Sequence, residues 1–385
     1  MSPFEFATAQ RIVFGRNTLD VIEELAGAIG QKTLIVSGAS QRYVPELQEK
    51  LSTLEISSSC FTVAEEPSIS RVTEGCGEME DESCHSVISI GGGSAIDAGK
   101  AIAALAANPG DPLDYLEVIG RGAPMPRSPF PFIAIPTTAG TGAEVTKNAV
   151  LSSSEHKVKV SLRSAAMLPT ASIIDPSLTA SLPRQATANA GLDALTQVIE
   201  PFLSSRANPM TDALCRAAIP RAAQALRSLA ASLDNPSARE DLAYAALSSG
   251  LALANAGLGA VHGFAGPLGG MFPAPHGAVC ARLLPIVLRT NLRAIQERAP
   301  EQQALKRFTE LGYLLTGHQD ASAEDGIKAA EQLASEFSIR PLSNYGIRSS
   351  DIPQLVKQSQ KASSMKGNPI VLDELELANI LESAL

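Results

Sequence analysis

Cysteine and histidine are scarce, at five each in 385 residues. The cysteines (Cys60, Cys76, Cys84, Cys215 and Cys280) are odd in number, and none forms a C-x-x-C. A secreted disulfide framework is therefore not expected, and free thiols in a reducing cytoplasm are. Positive charge is also short, with 31 Lys and Arg against 40 Asp and Glu, a net charge of -9 and no long basic run. That argues against nucleic acid or an anionic membrane surface as the main partner, although a local basic pocket for a phosphate stays compatible. No apolar stretch reaches the ~18 residues a membrane span needs, because Gly, Pro, Asn or Arg interrupts each one. The opening MSPFEFATAQRIVFG lacks a basic segment followed by an apolar one, so no secretory signal is expected there. The 29 Gly and 25 Pro follow no period, and no repeat of 20–50 residues is visible, which excludes collagen-like, low-complexity and solenoid chains. With 45% apolar and 18% charged residues, the chain can build large cores and is not disordered.

The first half alternates short β-rich runs with helical stretches. The runs are Thr33–Val36, Val87–Ile90, Phe132–Ile135 and Ser172–Ile174, and the helical stretches include Leu19–Ile29 and Ala95–Ala107. This alternation predicts a mainly parallel sheet covered on both faces. Lys157–Leu162, KVKVSL, alternates strictly and predicts a half-exposed strand or hairpin arm. The acidic cluster Glu78, Glu80, Asp81 and Glu82 reads as a solvated helix end or loop. After Pro183, Ala and Leu dominate, and helical spacing covers Ala186–Leu203, Pro209–Leu233, Glu240–Ala254, Ala278–Leu292 and Glu324–Phe337. The expected organisation is an α/β domain over 1–182, with a mainly parallel sheet, and an all-helical domain over 183–385.

Val87–Ser94, VISIGGGS, runs from an apolar strand through a glycine-rich turn into a helix start. Such a turn lets backbone N–H groups approach an anion, aided by the helix dipole. Three glycines allow close approach and positive φ, and Ser94 can cap the helix or donate to a phosphate. Asp97 and Lys100 follow on the same helix. A second loop, Pro136–Glu144, carries Thr137, Thr138 and Thr141 with Gly140 and Gly142. Two hydroxyl-rich, small-residue loops at strand ends suggest a ligand at the carboxyl edge of the sheet. Read locally, each also suits a tight turn without a ligand.

Asp193 and Gln197 are spaced i, i+4 and share one helix face. His262 and His276 stand 14 positions apart across a Gly/Pro-rich stretch, each followed by Gly. One carboxylate and two imidazoles suit a divalent transition metal with an open position, and Gln197 could add an amide oxygen. The same histidines equally suit structural roles, as do His85, His156 and His318.

Four blocks occur in order: GGGSAIDAGKAIA (Gly91–Ala103), PTTAGTGAEVT (Pro136–Thr146), AGLDALTQVIEPFLS (Ala190–Ser204) and VHGFAGPLGGMFPAPHG (Val261–Gly277). Together they resemble the iron-containing (group III) alcohol dehydrogenases. The resemblance implies a dehydroquinate synthase-like architecture, in which 1–182 is a Rossmann-like dinucleotide-binding domain and 183–385 a helical metal and substrate domain, and reversible NAD- or NADP-dependent oxidation of an alcohol to an aldehyde or ketone. It places Gly91, Gly92, Gly93 and Ser94 on the pyrophosphate, with Asp97 nearby. Thr137, Thr138, Thr141 and Lys159 fall on cofactor-contacting positions. Asp193, His262 and His276 fall on positions that bind a divalent metal, Fe or Zn, which would polarise the substrate oxygen. It further implies a cytoplasmic homodimer acting on a small-molecule alcohol or aldehyde.

Three positions depart from the family pattern. Gln197 stands where a third histidine ligand is usual, and Gly266 where many members have another histidine near the substrate. Gly38, in LIVSGAS, stands where NAD-preferring members often carry an Asp that would repel a 2′-phosphate. With Ser40 and Arg42 nearby, Gly38 makes NADP admissible. Gly263, Ala265, Gly266, Gly269 and Gly270, with Phe264 and Phe272, suggest a roomy apolar pocket. The competing readings are a metal-free reductase resembling maleylacetate reductases, a dehydroquinate synthase-like lyase and a non-catalytic cofactor binder. The retained Asp193, His262 and His276 argue against the first, and the lack of Lys or Arg in Val261–Gly277 against the second.

Overall fold

A computed structural model describes residues 3–156, 158–299 and 303–385, and the chain forms two compact units. One comprises residues 7–138 and 142–181, the other residues 1–6, 139–141 and 182–385.

The first unit is built on a six-stranded parallel sheet. In chain order its strands are β1 (Ile12–Phe14), β2 (Lys32–Gly38), β3 (Ser57–Val63), β4 (Ser86–Gly91), β5 (Phe132–Pro136) and β8 (Ala171–Ile174). Their spatial order is β1-β8-β5-β4-β2-β3. The antiparallel pair β6 (Asn148–Ser153) and β7 (Val158–Arg163) forms a separate hairpin. Period-two alternation sorts the strand side chains into two cores. Leu34, Val36, Val87, Phe132 and Ala134 pack on one face with Val72 and Ile96. Ile35, Ile88, Ile90, Ile133 and Ile135 pack on the other with Leu47 and Leu51. The helices supplying these partners are α2 (Val44–Thr53), α3 (Ile69–Asp81) and α4 (Gly93–Ala107), and the short α1 (Ala26–Ile29) adds Ile29 to the second core. Burial on both faces explains the unbroken apolar runs of the central strands.

The helical unit comprises α5 (Arg184–Leu203), α6 (Pro209–Ala231), α7 (Pro236–Ala256), α8 (Ala260–Met271), α9 (His276–Arg298), α10 (Gln303–Thr316), α11 (Ala323–Glu336), α12 (Ile352–Ser359) and α13 (Glu374–Ala384). No single described helix is long and apolar enough to cross a membrane, and α7 and α8 meet that test only as a pair bent by 100°.

The fold class is the expected one: a Rossmann-like α/β unit and a helical one. Several local expectations need correction. Leu19–Ile29 is a 3-10 turn, Leu19–Leu25, followed by the short α1. Strands β1 and β3 were not expected, because β1 is three residues long and β3 reads SSSCFTV, a serine-rich strand with little apolar signal. The Gly/Pro-rich stretch after His262 is helix α8, with Pro267 inside it. Burial there outweighs poor intrinsic propensity. The KVKVSL strand is β7, and its first residue, Lys157, lies outside the described residues. The acidic cluster does form the end of α3.

Candidate active site

The carboxyl edge of the sheet brings together most residues expected around a dinucleotide. Gly91 pairs with Pro136 at the ends of β4 and β5, and Gly38 ends the neighbouring β2. The GGGS turn and Thr137–Thr138 therefore emerge side by side, and the Thr137 N–H donates to the Gly91 carbonyl at 2.8 Å. None of Gly91, Gly92 and Gly93 has positive φ, contrary to the expectation for this turn. The requirement for glycine is steric. A Cβ on Gly91 would stand 2.7 Å from Ala95 Cβ and 3.0 Å from Gly38 N, and one on Gly92 would stand 3.3 Å from Thr138 Cγ2. Further along α4, a Cβ on Gly99 would lie 2.0 Å from Ser89 Oγ, so this helix rests against β4. Ser94 is not the helix cap either. That position is Gly92, in extended backbone, and no side chain caps it. The N–H groups of this first turn have no intrahelical acceptor by geometry, which is what an anion site requires.

The other expected cofactor residues have protein partners. Asp97 accepts from the Val150 N–H at 3.1 Å, and Lys159 pairs with Glu66 at 2.6 Å. Thr141 is exposed in the 139–141 segment, which packs with the helical unit. Lys100 is fully buried. Its ammonium donates to the carbonyls of Ala143, Thr146 and Asn148 at 2.7–2.9 Å and to Thr146 Oγ1 at 3.0 Å. It organises the loop leading to β6, and burial lowers its pKa to about 8, against the raising effect of Asp97 and Glu144. Gly38 leaves open space, since a Cβ there meets nothing within 4 Å.

In the helical unit, three helices converge on one cluster. Asp193, Gln197 and Glu200 lie at i, i+4 and i+7 of α5, on one face. His262 is on the first turn of α8, and His276 begins α9 with Cys280 one turn later. Asp193, His262, His276 and Cys280 each offer a donor atom, all within 4.8 Å of one another. His262 Nε2 is 3.4 Å and His276 Nε2 3.6 Å from Asp193 Oδ1, and Cys280 Sγ is 3.7 Å from both nitrogens. Gln197 Nε2 donates to Asp193 Oδ2 at 2.6 Å. Two buried oxygens here lack any hydrogen bond, Asp193 Oδ1 and Gln197 Oε1.

Glu200 and Cys280 are the residues that sequence reasoning missed. Glu200 performs two tasks. Its Oε2 accepts a hydrogen bond from His262 Nδ1–H at 2.6 Å, and its Oε1 accepts from the Val261 N–H at 2.7 Å. The Ala260 N–H donates to Asn368 Oδ1 at 3.1 Å, so two imported side chains satisfy the start of α8. Because a carboxylate only accepts, Nδ1 of His262 carries a proton and Nε2 faces the cluster. Gly277, after His276, permits close helix packing: a Cβ would stand 2.0 Å from the Asn189 carbonyl oxygen on α5.

Charge accumulates in this cluster. Burial alone would lower both imidazole pKa values. The neighbouring sulfur and carboxylates outweigh it and raise them, in His262 well above the ordinary value. Burial likewise pushes Asp193 up, but His276 and His262 hold it below the usual carboxylate range. The pocket therefore draws positive charge. Phe264, expected beside a substrate, is fully buried in the helical core. Gly266, one turn beyond His262, faces open space.

Comparison with known proteins places this geometry in a family. Residues 9–176 match the profile for iron-containing alcohol dehydrogenases, and residues 187–385 match the C-terminal domain of the Fe-containing alcohol dehydrogenase family. The chain belongs to the iron-containing alcohol dehydrogenases. It is 35% identical to a 1,3-propanediol dehydrogenase of Klebsiella pneumoniae over 99% of this chain and 98% of that one. It is 33% identical to an NAD-dependent methanol dehydrogenase of Bacillus methanolicus over 97% of each. Among solved structures, a 1,3-propanediol oxidoreductase superposes with a TM-score of 0.92 at 34% identity over the full length of both chains. As an iron-containing alcohol dehydrogenase, the protein is a metal-dependent, nicotinamide-linked oxidoreductase that interconverts small-molecule alcohols and carbonyl compounds.

Proposed function

We propose that Asp193, His262 and His276 hold the divalent ion, with the Gln197 amide oxygen as candidate fourth donor, and that these residues form the catalytic centre. The observation that carries this reading is the pair of buried oxygens without hydrogen bonds, Asp193 Oδ1 and Gln197 Oε1. Burying a polar atom unpaired is costly, and a cation removes the cost. A carboxylate with two imidazoles suits zinc or ferrous iron. When bound, the ion supplies a Lewis acid to the substrate oxygen, and the nicotinamide gives or takes the hydride. The protein's part is positioning. Glu200 fixes the His262 tautomer and aims Nε2, while Gln197 holds Asp193 Oδ2 and leaves Oδ1 available.

The dinucleotide pyrophosphate lies against Gly91, Gly92, Gly93 and Ser94 at the start of α4, with Thr137 and Thr138 beside it and Asp97, Thr141 and Lys159 further along the cofactor. The close approach at Gly91 and Gly92 and the uncapped helix start support this placement. The open space at Gly38 supports use of NADPH at least comparably to NADH, since no carboxylate stands there to repel a 2′-phosphate. The opening at Gly266 permits medium or bulky aldehydes and ketones. The enzyme works as a cytoplasmic homodimer.

The test is a screen of NADPH and NADH oxidation over aldehydes, ketones and keto acids, with metal content measured on protein purified without chelator. Stoichiometric metal with turnover on aldehydes or ketones is expected. Metal-free protein of full activity would overturn the ligand assignment. A preference for NADH by about two decades in kcat/KM, or ~2.7 kcal/mol, would overturn the reading of Gly38.

A further inference from the structure

We propose that the Cys280 thiolate, rather than the Gln197 amide, is the fourth protein ligand, making this a carboxylate–imidazole–imidazole–thiolate centre that selects zinc over iron. The proposal rests on the metal reading above, keeps Asp193, His262 and His276, and replaces the candidate fourth donor. Three observations carry it.

The first is placement. Cys280 is buried and lies one helical turn after His276, so the two share a face of α9. The second is the shape of the donor set. Oxygen and nitrogen ligands at ~2.0–2.2 Å and sulfur at ~2.3 Å on a tetrahedral ion stand ~3.3–3.6 Å from one another. Four of the six donor–donor distances here are 3.4, 3.6, 3.7 and 3.7 Å, close to the edges of such a tetrahedron, and the remaining two lie within 4.8 Å. Both contacts of the sulfur are to Nε2, the nitrogen that Glu200 leaves facing inward on His262.

The third is the state of Gln197. Its amide nitrogen is committed to Asp193 Oδ2 at 2.6 Å, which orients the carboxylate so that Oδ1 faces the two imidazoles. Gln197 is thereby a positioning residue. An amide oxygen is a weak neutral donor, whereas a thiolate is charged and soft, and soft donors favour zinc over ferrous iron. As the metal–sulfur bond forms, the thiol proton leaves to solvent, so binding releases one proton more than in a variant without the thiol.

Cobalt(II) reports the donor directly. The full-length protein is stripped with chelator, loaded with Co(II), and its electronic spectrum recorded beside those of Cys280→Ala and Gln197→Ala. Wild type is expected to show an intense near-ultraviolet thiolate-to-cobalt charge-transfer band together with visible d–d bands. Cys280→Ala should lose the near-ultraviolet band, and Gln197→Ala should keep it. Zinc affinity should fall in Cys280→Ala by about 100-fold or more, since losing even an outer partner of a ligand costs 10–100-fold.

Stoichiometric cobalt without the charge-transfer band in wild type overturns the Cys280 assignment and leaves the underlying metal centre standing. A band that persists in Cys280→Ala overturns it as well, because the sulfur then comes from another cysteine. Failure of wild type to take up cobalt overturns both readings. The wild-type spectrum needs no variant, so poor folding of Cys280→Ala does not remove the test.

Discussion

Glu200→Gln is the most informative single substitution, because one carboxylate serves two buried donors. In the native protein Oε2 accepts from His262 Nδ1–H at 2.6 Å and Oε1 accepts from the Val261 N–H at 2.7 Å. Glutamine has the same shape but offers one oxygen and one NH2 group. If its oxygen stays with Val261, its NH2 faces Nδ1–H, and two donors oppose each other. The imidazole then shifts its proton to Nε2, the atom 3.4 Å from Asp193 Oδ1, and loses the lone pair that would bind a metal. Loss of such an outer partner costs 10–100-fold in metal affinity, or ~1.4–2.7 kcal/mol at ~1.4 kcal/mol per decade. If the amide flips, His262 is satisfied, but the Val261 N–H at the start of α8 is left facing a donor. A buried donor without an acceptor costs ~1–3 kcal/mol of stability. Both arms are measurable: zinc affinity by competition with a chromogenic chelator, and the thermal midpoint of the metal-free protein. The variant should lose at least about tenfold in affinity, or several degrees in midpoint. If affinity stays within about threefold and the midpoint is unmoved, the two tasks assigned to Glu200 are wrong.

Gly38→Asp meets open space and a backbone without positive φ, so it should fold normally and turn the enzyme towards NADH. A carboxylate ~4 Å from a 2′-phosphate costs ~1 kcal/mol in water and ~4 kcal/mol at an effective dielectric of ~20. The kcat/KM for NADPH relative to NADH should therefore fall by about fivefold to several hundredfold, and an unchanged ratio would count against the placement. Gly99→Ala drives a methyl group to 2.0 Å from Ser89 Oγ and should destabilise by ~1–3 kcal/mol in urea unfolding. Ser89→Ala combined with it should recover part of the loss, and no recovery would mean the clash lies elsewhere. Burial raises Glu144 from 4.5 to about 7 and Asp97 from 3.8 to about 6, although Lys100 pulls both down. Folding therefore favours the protonated carboxyls. Their contribution is fully present at low pH and is lost as pH rises through about 7, on the order of 3 kcal/mol for Glu144. Glu144→Gln should flatten the difference in urea stability between pH 5 and 7.5, and an unchanged slope would refute the assignment.

The fold class was legible because the strongest signals were local. The runs at β2, β4, β5 and β8 are apolar on both faces, as central parallel strands must be, and the Ala- and Leu-rich second half carries helical spacing over long windows. The elements that were missed are those that tertiary packing overrides. The serine-rich β3 is held by its register with β2, Leu34 opposite Ser59 and Val36 opposite Phe61, which composition does not record. In α8, glycines and Pro267 kept the segment out of the expected helices. They are helical because the segment is buried, where a Cβ on Gly263 would press on Met365 and the first turn draws acceptors from Glu200 and Asn368.

The site shows how a small boundary error hides chemistry. Asp193 and Gln197 were readable as a pair because their helix was recognised, and continuing the same face by three residues reaches Glu200. That i+7 signal was present in the sequence, but a carboxylate just before Pro201 carries no mark that separates an outer partner of a histidine from a helix-end charge. Cys280 was hidden for a different reason. Reading helix α9 from Ala278 leaves His276 in a loop, with no fixed relation to residues that follow. The helix starts at His276, and those two residues turn an arbitrary spacing of four into a shared face. Gly277 lets this first turn of α9 lie against α5, because a larger residue would collide with the Asn189 carbonyl.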